Sequence, residues 1–473
     1  MSELLRKKDI PTLQREAAGD TGLKRTLGVW SLTFIGLGGI IGVGVFVLTG
    51  VVAANQAGPA VALSFVVAGI ASAAAALCYA EFAGMIPVSG SAYTYGYAVL
   101  GEFFAWIIGW DLLIEYTLVV AVVAIGISGY INELLSGLGV GVPEWAASAP
   151  GGGDGGVVNL FAVLLCLFIA GLQIRGIRES ANFNNAMVIL KLGIIVVIIA
   201  IGAFFVDPDN LTPFFPYGIA GVFTGAAVVF FAVFGYDTLT TAAEEATDPQ
   251  RDLPRAVILS LAIALVLYVL MSLVVTGMVP YQRLDTPAPV AVAFQEVGLP
   301  WVARVISVAA IAGIISVLFA FMLGAARVWF AMSRDGLLPR WFCRLHPSYR
   351  TPYRPTAILG VATALVAGFF PITTVAELVN IGVLSAFIIV CASVWILRRT
   401  RPDLPRSFRT PLVPLVPIIG IAFSAVLIAS LPPATWARFA VWMAVGLVIY
   451  FLYSRRRSLL ARGELGIERD VLE

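Results

Sequence analysis

The sequence predicts an all-α membrane protein with twelve transmembrane helices, of which the first and the sixth are discontinuous. Three observations support this fold class. The chain of 473 residues is 60% hydrophobic and only 12% charged, which is far more apolar than a soluble globular domain requires. Its apolar residues form runs long enough to cross a bilayer as helices. Two of these runs are rich in glycine, and they begin five spans apart.

The candidate spans are uncharged or nearly uncharged runs separated by short polar segments. In chain order they are Val29–Ala54, Pro59–Met85, Val99–Leu135, Val157–Gln173, Phe183–Val206, Ile219–Ala243, Ala256–Val279, Trp301–Met332, Pro355–Phe370, Thr374–Leu397, Leu412–Leu431 and Trp436–Tyr453. The third and eighth runs are longer than a bilayer requires, so we expect these helices to tilt or to extend beyond it.

The distribution of basic residues predicts the orientation in the membrane. Alternate loops are rich in arginine, and the loops between them carry little more than Arg283. We therefore expect residues 1–28 and the tail 454–473 to be cytoplasmic and the protein to lie in the cell membrane. The loop Ile86–Leu100 is the weakest support for this assignment, because it should be an inner loop and has no Lys or Arg.

The first glycine-rich run is interrupted near its middle. The segment Gly36–Phe46 contains five glycines, and each one destabilises a helix interior by about 0.5–1 kcal/mol relative to alanine. Irregular backbone at membrane depth is tolerated only where it lines a cavity or is covered by protein. The segment is therefore a candidate binding site made of backbone groups. The alternative is that these glycines only allow helices to pack closely.

The second interrupted run, Gly225–Asp237, favours the first interpretation. Interrupted segments at corresponding positions of two halves are typical of secondary transporters built from inverted repeats. The sequence therefore predicts one repeat over residues 29–206 and an inverted second repeat over 219–397. The last two spans, in residues 412–453, would be additional helices outside the repeats.

Backbone groups at such breaks suit a zwitterion. The free N–H groups of a half-helix attract an anion, and the ends that expose carbonyls attract a cation. One site can thus bind a carboxylate and an ammonium together, which is the constant part of an α-amino acid. The chain has no phosphate-binding lysine loop, so we expect transport that is not driven by ATP bound on this chain.

Several motifs resemble the amino acid–polyamine–organocation superfamily, and in particular the bacterial twelve-span members of its cationic amino acid transporter family. The resemblance runs from about Leu23 to Tyr453. The residues that carry it are Ile41–Phe46, Ala80–Ala83, Pro87–Tyr93, Gly109–Tyr116, Glu244–Arg251 and Met332–Pro339. The resemblance implies amino acid transport by alternating access through a five-plus-five inverted repeat.

Lys191 is the most informative single residue. It lies about eight residues into the fifth span, where a charged side chain costs roughly 2.5–3.5 kcal/mol and is a functional hypothesis by default. Desolvation disfavours its charged form, which predicts a lysine that binds and releases a proton. The resemblance implies that its ammonium replaces a sodium ion beside the Gly38 and Ile41 carbonyls and a hydroxyl, which we expect to be Ser316. The alternative is a permanently charged lysine that only holds helices together.

The predicted substrate site combines the backbone of both breaks with side chains of the third and eighth spans. We expect the carboxylate to meet the N–H groups of Val43 and Gly44. The amine would meet the carbonyls near Ile40, Ile41 and Phe231. The substrate side chain would face Glu115 and Phe321. The full set of candidate substrate-binding residues is Ile40, Ile41, Gly42, Val43, Gly44, Glu115, Phe231, Ala232, Phe234 and Phe321. A protonated Glu115 bonded between helices and a lipid-facing Phe321 are the alternatives.

Five further charged residues are predicted to have gating or structural roles. Asp111 shares a helix face with Glu115. Asp237 follows the second break and could cap the next half-helix. Glu244, Glu245 and Arg251 lie toward the inner end of the sixth span and the loop after it, and they predict either a salt-bridge network or solvated interfacial charges.

The sequence thus predicts a proton-coupled symporter for cationic or small neutral L-amino acids, or both. An exchanger without obligatory proton coupling, a sodium symporter and, more remotely, an amino acid sensor are the alternatives. We expect neither enzyme activity nor a cofactor other than the coupling proton, and neither a metal site nor nucleic acid binding. The scattered Cys78, Cys166, Cys343 and Cys391 predict no disulfide. The sequence leaves open a small single-span membrane partner.

Overall fold

The computed structural model describes residues 6–7, 27–86, 91–151, 155–176, 181–349 and 351–462. Within these ranges the side chains of residues 91, 181–184 and 241–245 are not described. Helices dominate the described residues, and Leu27 and Ala246 form an isolated parallel bridge between two non-helical segments.

Fourteen α-helices of eight or more residues form the body of the described part of the molecule. They are α1 (Val29–Ile40), α2 (Val61–Met85), α3 (Ser91–Val99), α4 (Glu102–Gly137), α5 (Leu160–Ile174), α6 (Ala181–Gly202), α7 (Gly218–Val229), α8 (Pro249–Met278), α9 (Pro289–Glu296), α10 (Pro300–Arg334), α11 (Tyr353–Phe369), α12 (Ile372–Thr400), α13 (Leu415–Ala429) and α14 (Pro433–Ile449).

The described residues include 8 helical stretches long and apolar enough to cross a membrane, together with four shorter apolar helices, α1, α5, α11 and α13. Large apolar side chains cover much of the outside. Phe168 is 60% exposed on α5, and Val266 is 60% exposed on α8. Several polar and charged side chains within the helices are instead buried, among them Lys191 and Asn380. An apolar exterior around a partly polar interior is the arrangement that a bilayer requires of an integral membrane protein.

The first predicted span is interrupted as expected. Helix α1 ends at Ile40, and Ile41 has an extended backbone (φ −81°, ψ 103°). The chain then resumes with the wider π-helical turn Gly44–Leu48, a short α-helix Thr49–Val52 and a second π-helical turn Ala53–Ala57. The break therefore falls within residues 41–43, inside the glycine-rich segment.

The second predicted span is also interrupted, between the end of α7 and Gly235. Helix α7 runs to Val229 and tightens into the 3₁₀ turn Phe230–Ala232. After Gly235, which has a φ of +108°, the chain continues as the 3₁₀ helix Tyr236–Glu245. Gly225 lies inside α7, where the backbone is continuous.

The long third and eighth runs form helices of 36 and 35 residues, α4 and α10. The predicted start of the third span at Val99 is wrong. Val99 ends the separate short helix α3, and Gly101, with a φ of +106°, turns the chain before α4 begins at Glu102. A left-handed backbone of this kind is inexpensive only for glycine.

Helix α4 lies at the centre of the molecule and packs against α10, α12, α11 and α5. Helix α8 packs against α1 and α2, and α6 packs against α1 and α10. The interrupted helices are therefore surrounded by continuous ones, which shield the irregular backbone from lipid. The four cysteines Cys78, Cys166, Cys343 and Cys391 are free and buried.

Candidate functional site

The two helix breaks lie directly against each other. A Cβ atom built on Gly39 would lie 2.6 Å from the carbonyl oxygen of Gly235, and one built on Gly235 would lie 2.7 Å from the carbonyl oxygen of Gly39. A Cβ on Gly44 would collide with the side chain of Ala232. Glycine at these positions therefore allows the irregular segments of both helices to approach to backbone contact.

Side chains from neighbouring helices bind the carbonyls at the first break. Lys191 Nζ donates to the Gly38 carbonyl at 2.9 Å and to the Ile41 carbonyl at 2.8 Å. The Tyr268 hydroxyl donates to the Ile40 carbonyl at 2.9 Å. In a continuous helix these three carbonyls would accept from the N–H groups four residues later. The side chains of α6 and α8 thus replace the backbone donors that the break removes.

Lys191 is fully buried, at 0% exposure. Its Cβ lies 2.9 Å from the position of a Cβ on Gly313, so α10 admits the lysine at a residue without a side chain. Ser316, one turn further along α10, is buried and donates to the Gly313 carbonyl at 3.0 Å. The Lys191 side chain therefore packs against α10 at Gly313 while its Nζ atom binds carbonyls of α1, and a contact with the Ser316 hydroxyl stays a prediction.

Side chains from neighbouring helices also donate to backbone carbonyls at the second break. Asn380 Nδ2, from α12, donates to the Ala227 carbonyl at 2.7 Å and to the Val228 carbonyl at 3.0 Å. Ser72, from α2, donates to the Val233 carbonyl at 2.6 Å. These donors satisfy the end of α7 and the segment just after it, where the helical hydrogen bonds are lost.

Four backbone groups at the breaks take part in none of the hydrogen bonds found outside the helices of the described residues. They are the N–H groups of Val43 and Gly44 and the carbonyls of Phe231 and Ala232. The first N–H groups of a half-helix carry partial positive charge, and free carbonyls carry partial negative charge. The pair of breaks can therefore bind an anionic and a cationic group side by side.

A small cavity lies between the breaks, α4 and α10. Its free volume is about 10 Å³, room for roughly one water molecule. This conformation is therefore closed around the site. The residues that line the cavity are Gly39, Ile40, Gly42, Val43, Gly44, Val119, Val123, Phe231, Phe234, Val317 and Phe321.

The walls of this cavity are apolar. Phe321 is buried and makes an edge-to-face contact with Phe234 at 6.2 Å between ring centroids, so it faces inward. Glu115 is buried on the same face of α4 as Val119, one turn away, but it is not part of the lining. An uncompensated cationic side chain in such a cavity would be costly to desolvate, whereas an aliphatic side chain would not.

The other acidic residues near the site are also buried. The Asp237 carboxylate accepts a hydrogen bond from the Tyr116 hydroxyl at 2.6 Å. Asp111 packs against Gly382 of α12, and no hydrogen bond to its Oδ1 atom is found in the described part of the chain. Asp237 thus joins the second break to α4, and Asp111 joins α4 to α12.

The predicted inner network involves residues that are described only in part. Arg251 is exposed in the first turn of α8, and its N–H donates to the Asp248 carbonyl at 3.1 Å. The side chains of Glu244 and Glu245 lie outside the described residues. Their ion pairing with Arg251 stays a prediction.

A different ion network is well defined. Glu81 of α2 accepts two hydrogen bonds from Arg398, both at 2.8 Å, one from Arg406 at 2.9 Å and one from the Thr410 N–H at 2.8 Å. The Glu81 and Arg406 side chains are each 2% exposed. This network ties α2 to the end of α12 and to the loop that follows it.

Sequence reasoning did not find Tyr268, Asn380 or the partners of Glu81. An asparagine flanked by Val379 and Ile381 carries the same kind of signal as Lys191, because a polar side chain inside a span needs a partner. Tyr268 carries no such signal, since tyrosines in membrane proteins are also common at the lipid interface.

A helical membrane protein whose two broken helices enclose a backbone site has the construction of a secondary transporter. The family model for amino acid permeases matches residues 27–450. The chain therefore belongs to the amino acid permease family, within the amino acid–polyamine–organocation superfamily that its motifs resemble.

Individual relatives share most of its length. A methylthioribose transporter of Bacillus subtilis (strain 168) is 47% identical over 460 residues, which is 97% of this chain and 100% of that protein. The branched-chain amino acid permease BcaP of the same organism is 46% identical, over 97% of this chain and 99% of the length of that permease. A vacuolar cationic amino acid transporter 4 of Arabidopsis thaliana is 37% identical, over 85% of this chain and 68% of its own.

Proposed function

We propose that the protein is a proton-coupled symporter for neutral, aliphatic L-amino acids. It would work by alternating access in the cell membrane. The chain would cross the membrane twelve times, with both termini cytoplasmic. The first ten membrane spans would form two inverted repeats of five spans each. The observation that carries the proposal is the buried Lys191 ammonium, which donates to two carbonyls at the first break.

The substrate backbone would bind between the breaks. Its carboxylate would accept from the N–H groups of Val43 and Gly44, and its amine would donate to the carbonyls of Phe231 and Ala232. The carbonyls of Ile40 and Ile41 already accept from Tyr268 and Lys191, so they are secondary partners for the amine. The closed cavity must widen to admit the substrate, as alternating access requires.

The apolar lining favours one of the two substrate classes that the sequence left open. Val119, Val123 and Val317 suit a branched or linear aliphatic side chain, and the lining contains no carboxylate to pair with a cationic one. The similarity to a branched-chain amino acid permease supports the same choice.

The proton would act through Lys191. As an ammonium, Lys191 makes charge-assisted hydrogen bonds, which are roughly twice as strong as neutral ones, and these would hold α1 beside α10 in a binding-competent arrangement. Release of the proton on the cytoplasmic side would weaken both bonds and free α1 to move. Protons would be the only coupling ion.

An exchanger is the second candidate, because it would use the same backbone site. The test is uptake of radiolabelled leucine by purified protein in proteoliposomes that contain no internal amino acid. Accumulation driven by an inward pH gradient supports symport. Uptake only into vesicles preloaded with amino acid would support exchange, and uptake that requires sodium would contradict proton coupling.

The same assay identifies the substrate class. Unlabelled leucine, isoleucine and valine are expected to compete with labelled leucine, and arginine and lysine are not. A methylthioribose arm tests the activity for which one of the relatives is named. Stronger competition by arginine than by valine would contradict the proposed selectivity.

A further inference from the structure

A side chain outside both broken helices controls the end of α7. Asn380 is 0% exposed, and its Nδ2 atom donates to the carbonyls of Ala227 and Val228. We propose that Asn380 is a positioning residue for the substrate: it holds the end of α7 unwound, so that the Phe231 and Ala232 carbonyls face the cavity. The inference rests on the proposed amino acid site.

The orientation of the Asn380 amide follows from its partners. Both are carbonyl oxygens, which only accept, so the NH₂ end of the amide must face them. The Oδ1 atom is consequently turned away, and no hydrogen bond to it is found among the described residues. A buried acceptor without a partner is unfavourable, so an apolar residue would suit a purely packing role better.

The two carbonyls are those that determine how α7 ends. If the α-helix continued, Ala227 and Val228 would accept from the N–H groups of Phe231 and Ala232. Instead the chain tightens into the 3₁₀ turn Phe230–Ala232. By donating to both carbonyls, Asn380 competes with the backbone N–H groups that a longer α-helix would place there.

The conformation of the turn Phe230–Ala232 affects the cavity directly. Phe231 and Phe234 line it, and the carbonyls proposed to bind the substrate amine belong to the same turn. Continuation of the α-helix would rotate this turn and redirect its carbonyls along the helix axis. Asn380 thus acts on the substrate through the backbone of α7 and without touching the cavity.

The test compares two substitutions with a control on the same helix. Asn380→Leu keeps a similar volume and removes both donors, and Asn380→Ser keeps one donor. Ser385→Ala is the control, because the one hydrogen bond of the Ser385 hydroxyl to a described residue goes to the Ile381 carbonyl of its own helix, at 2.6 Å. Each purified protein is assayed for leucine binding, for unfolding temperature, and for hydrogen exchange of peptides that cover residues 226–235.

We expect Asn380→Leu to raise the Kd for leucine by about tenfold or more, as loss of two hydrogen bonds predicts. The Phe231 and Ala232 amides should exchange more slowly, because they can now bond to the vacated carbonyls. Asn380→Ser should give an intermediate Kd, and Ser385→Ala should match the wild type. A lower unfolding temperature with unchanged Kd would mean a merely stabilising role and would overturn the proposal.

Two further outcomes are decisive. If Asn380→Leu does not fold, the Asn380→Ser variant decides, and a wild-type Kd for it contradicts the proposal. If the wild type binds no amino acid, the proposed function fails, but the exchange measurement still tests Asn380. Slower exchange confined to residues 226–235 then supports the positioning role, and unchanged or faster exchange contradicts it.

Discussion

Single side chains keep both helix breaks open by donating to backbone carbonyls. Lys191 and Tyr268 act at the first break, and Asn380 and Ser72 at the second. A neutral hydrogen bond contributes about 0.5–1.5 kcal/mol, and a bond to a charged group about 1.5–3 kcal/mol. Lys191 is therefore the strongest of these donors, and its strength depends on whether it carries a proton.

Tyr268→Phe should weaken substrate binding without unfolding the protein. The substitution removes only the hydroxyl that donates to the Ile40 carbonyl, so the first break loses one neutral donor. We expect the Kd for leucine to rise about fivefold, measured by substrate-induced thermal shift. Tyr450→Phe is the control, since Tyr450 is equally buried but lies beside Glu102, away from the breaks. Equal effects of the two substitutions would contradict this prediction.

Phe321→Leu should broaden the range of substrates. Phe321 lines the cavity and packs edge-to-face on Tyr116, with ring centroids 5.3 Å apart. A smaller side chain enlarges the cavity on the side of α10, so phenylalanine and methionine should compete more strongly with labelled leucine. Phe168→Leu, at a position that is 60% exposed on α5, is the control. An unchanged competition profile would show that Phe321 does not limit substrate size.

At the scale of helices, the site depends on close contact between two interrupted elements. Gly39 and Gly235 lie at backbone distance, and Gly44 lies against Ala232. The breaks are therefore one structural unit, although about 190 residues separate them in sequence. A substitution that displaces the backbone at one break should therefore displace the backbone at the other.

Gly235→Ala should abolish transport, for two separable reasons. The φ of +108° is strained for alanine, and the new Cβ would lie 2.7 Å from the Gly39 carbonyl oxygen. Gly298→Ala is the matched control, because Gly298 has a φ of +84° and no atom within 4 Å of its Cβ position. We expect at least a tenfold loss of leucine uptake at about equal expression for Gly235→Ala only. Comparable losses in both variants would mean that backbone strain, and not the contact, is responsible.

The sequence predicted the existence of both breaks better than their positions. Gly38, Gly39 and Gly42 surround the first break, and there the prediction was close. Gly225 is the first glycine of the second interrupted run, but it lies inside continuous α7, where its missing side chain accommodates Ser64, and the break falls before Gly235. Local glycine content cannot distinguish a break from close helix packing, because both require a residue without a side chain.

Sequence patterns also predict only some of the side-chain roles. The importance of Lys191 could be predicted because a charged side chain inside a membrane span is costly and indicates a functional role. Its partners at Gly38 and Ile41 came from family resemblance, and the role of Tyr268 could not be predicted, because it depends on how α8 packs on α1. The apolar character of the cavity also depends on packing, since Val119 and Val317 belong to different helices.

Across the whole molecule, an apolar exterior surrounds an interior with a few strongly bonded polar groups. One such group outside the site is centred on Glu81, which joins α2 to Arg398 and Arg406. A carboxylate with four hydrogen bonds from three residues fixes the end of α2 relative to α12. In the proposed mechanism the interrupted helices would move against neighbours that this network holds together.

Glu81→Ala should destabilise the protein more than the loss of an exposed pair. It leaves the buried Arg406 guanidinium without its carboxylate, which typically costs roughly 3–5 kcal/mol. Arg401→Ala is the control, because Arg401 and Asp403 are 52% and 67% exposed and such pairs contribute about 0–1 kcal/mol. The unfolding temperature in detergent should fall clearly for Glu81→Ala and little for Arg401→Ala. Similar unfolding temperatures would mean that the network does not support the fold.

The most direct test of the account is leucine accumulation driven by a pH gradient, compared between the wild type and Lys191→Met in proteoliposomes. The wild type is expected to accumulate leucine above its external concentration. Lys191→Met should retain exchange of internal for external leucine but should not accumulate it, because no group at the first break then binds the proton. Accumulation by Lys191→Met to the wild-type level would contradict the proton-coupling role of Lys191.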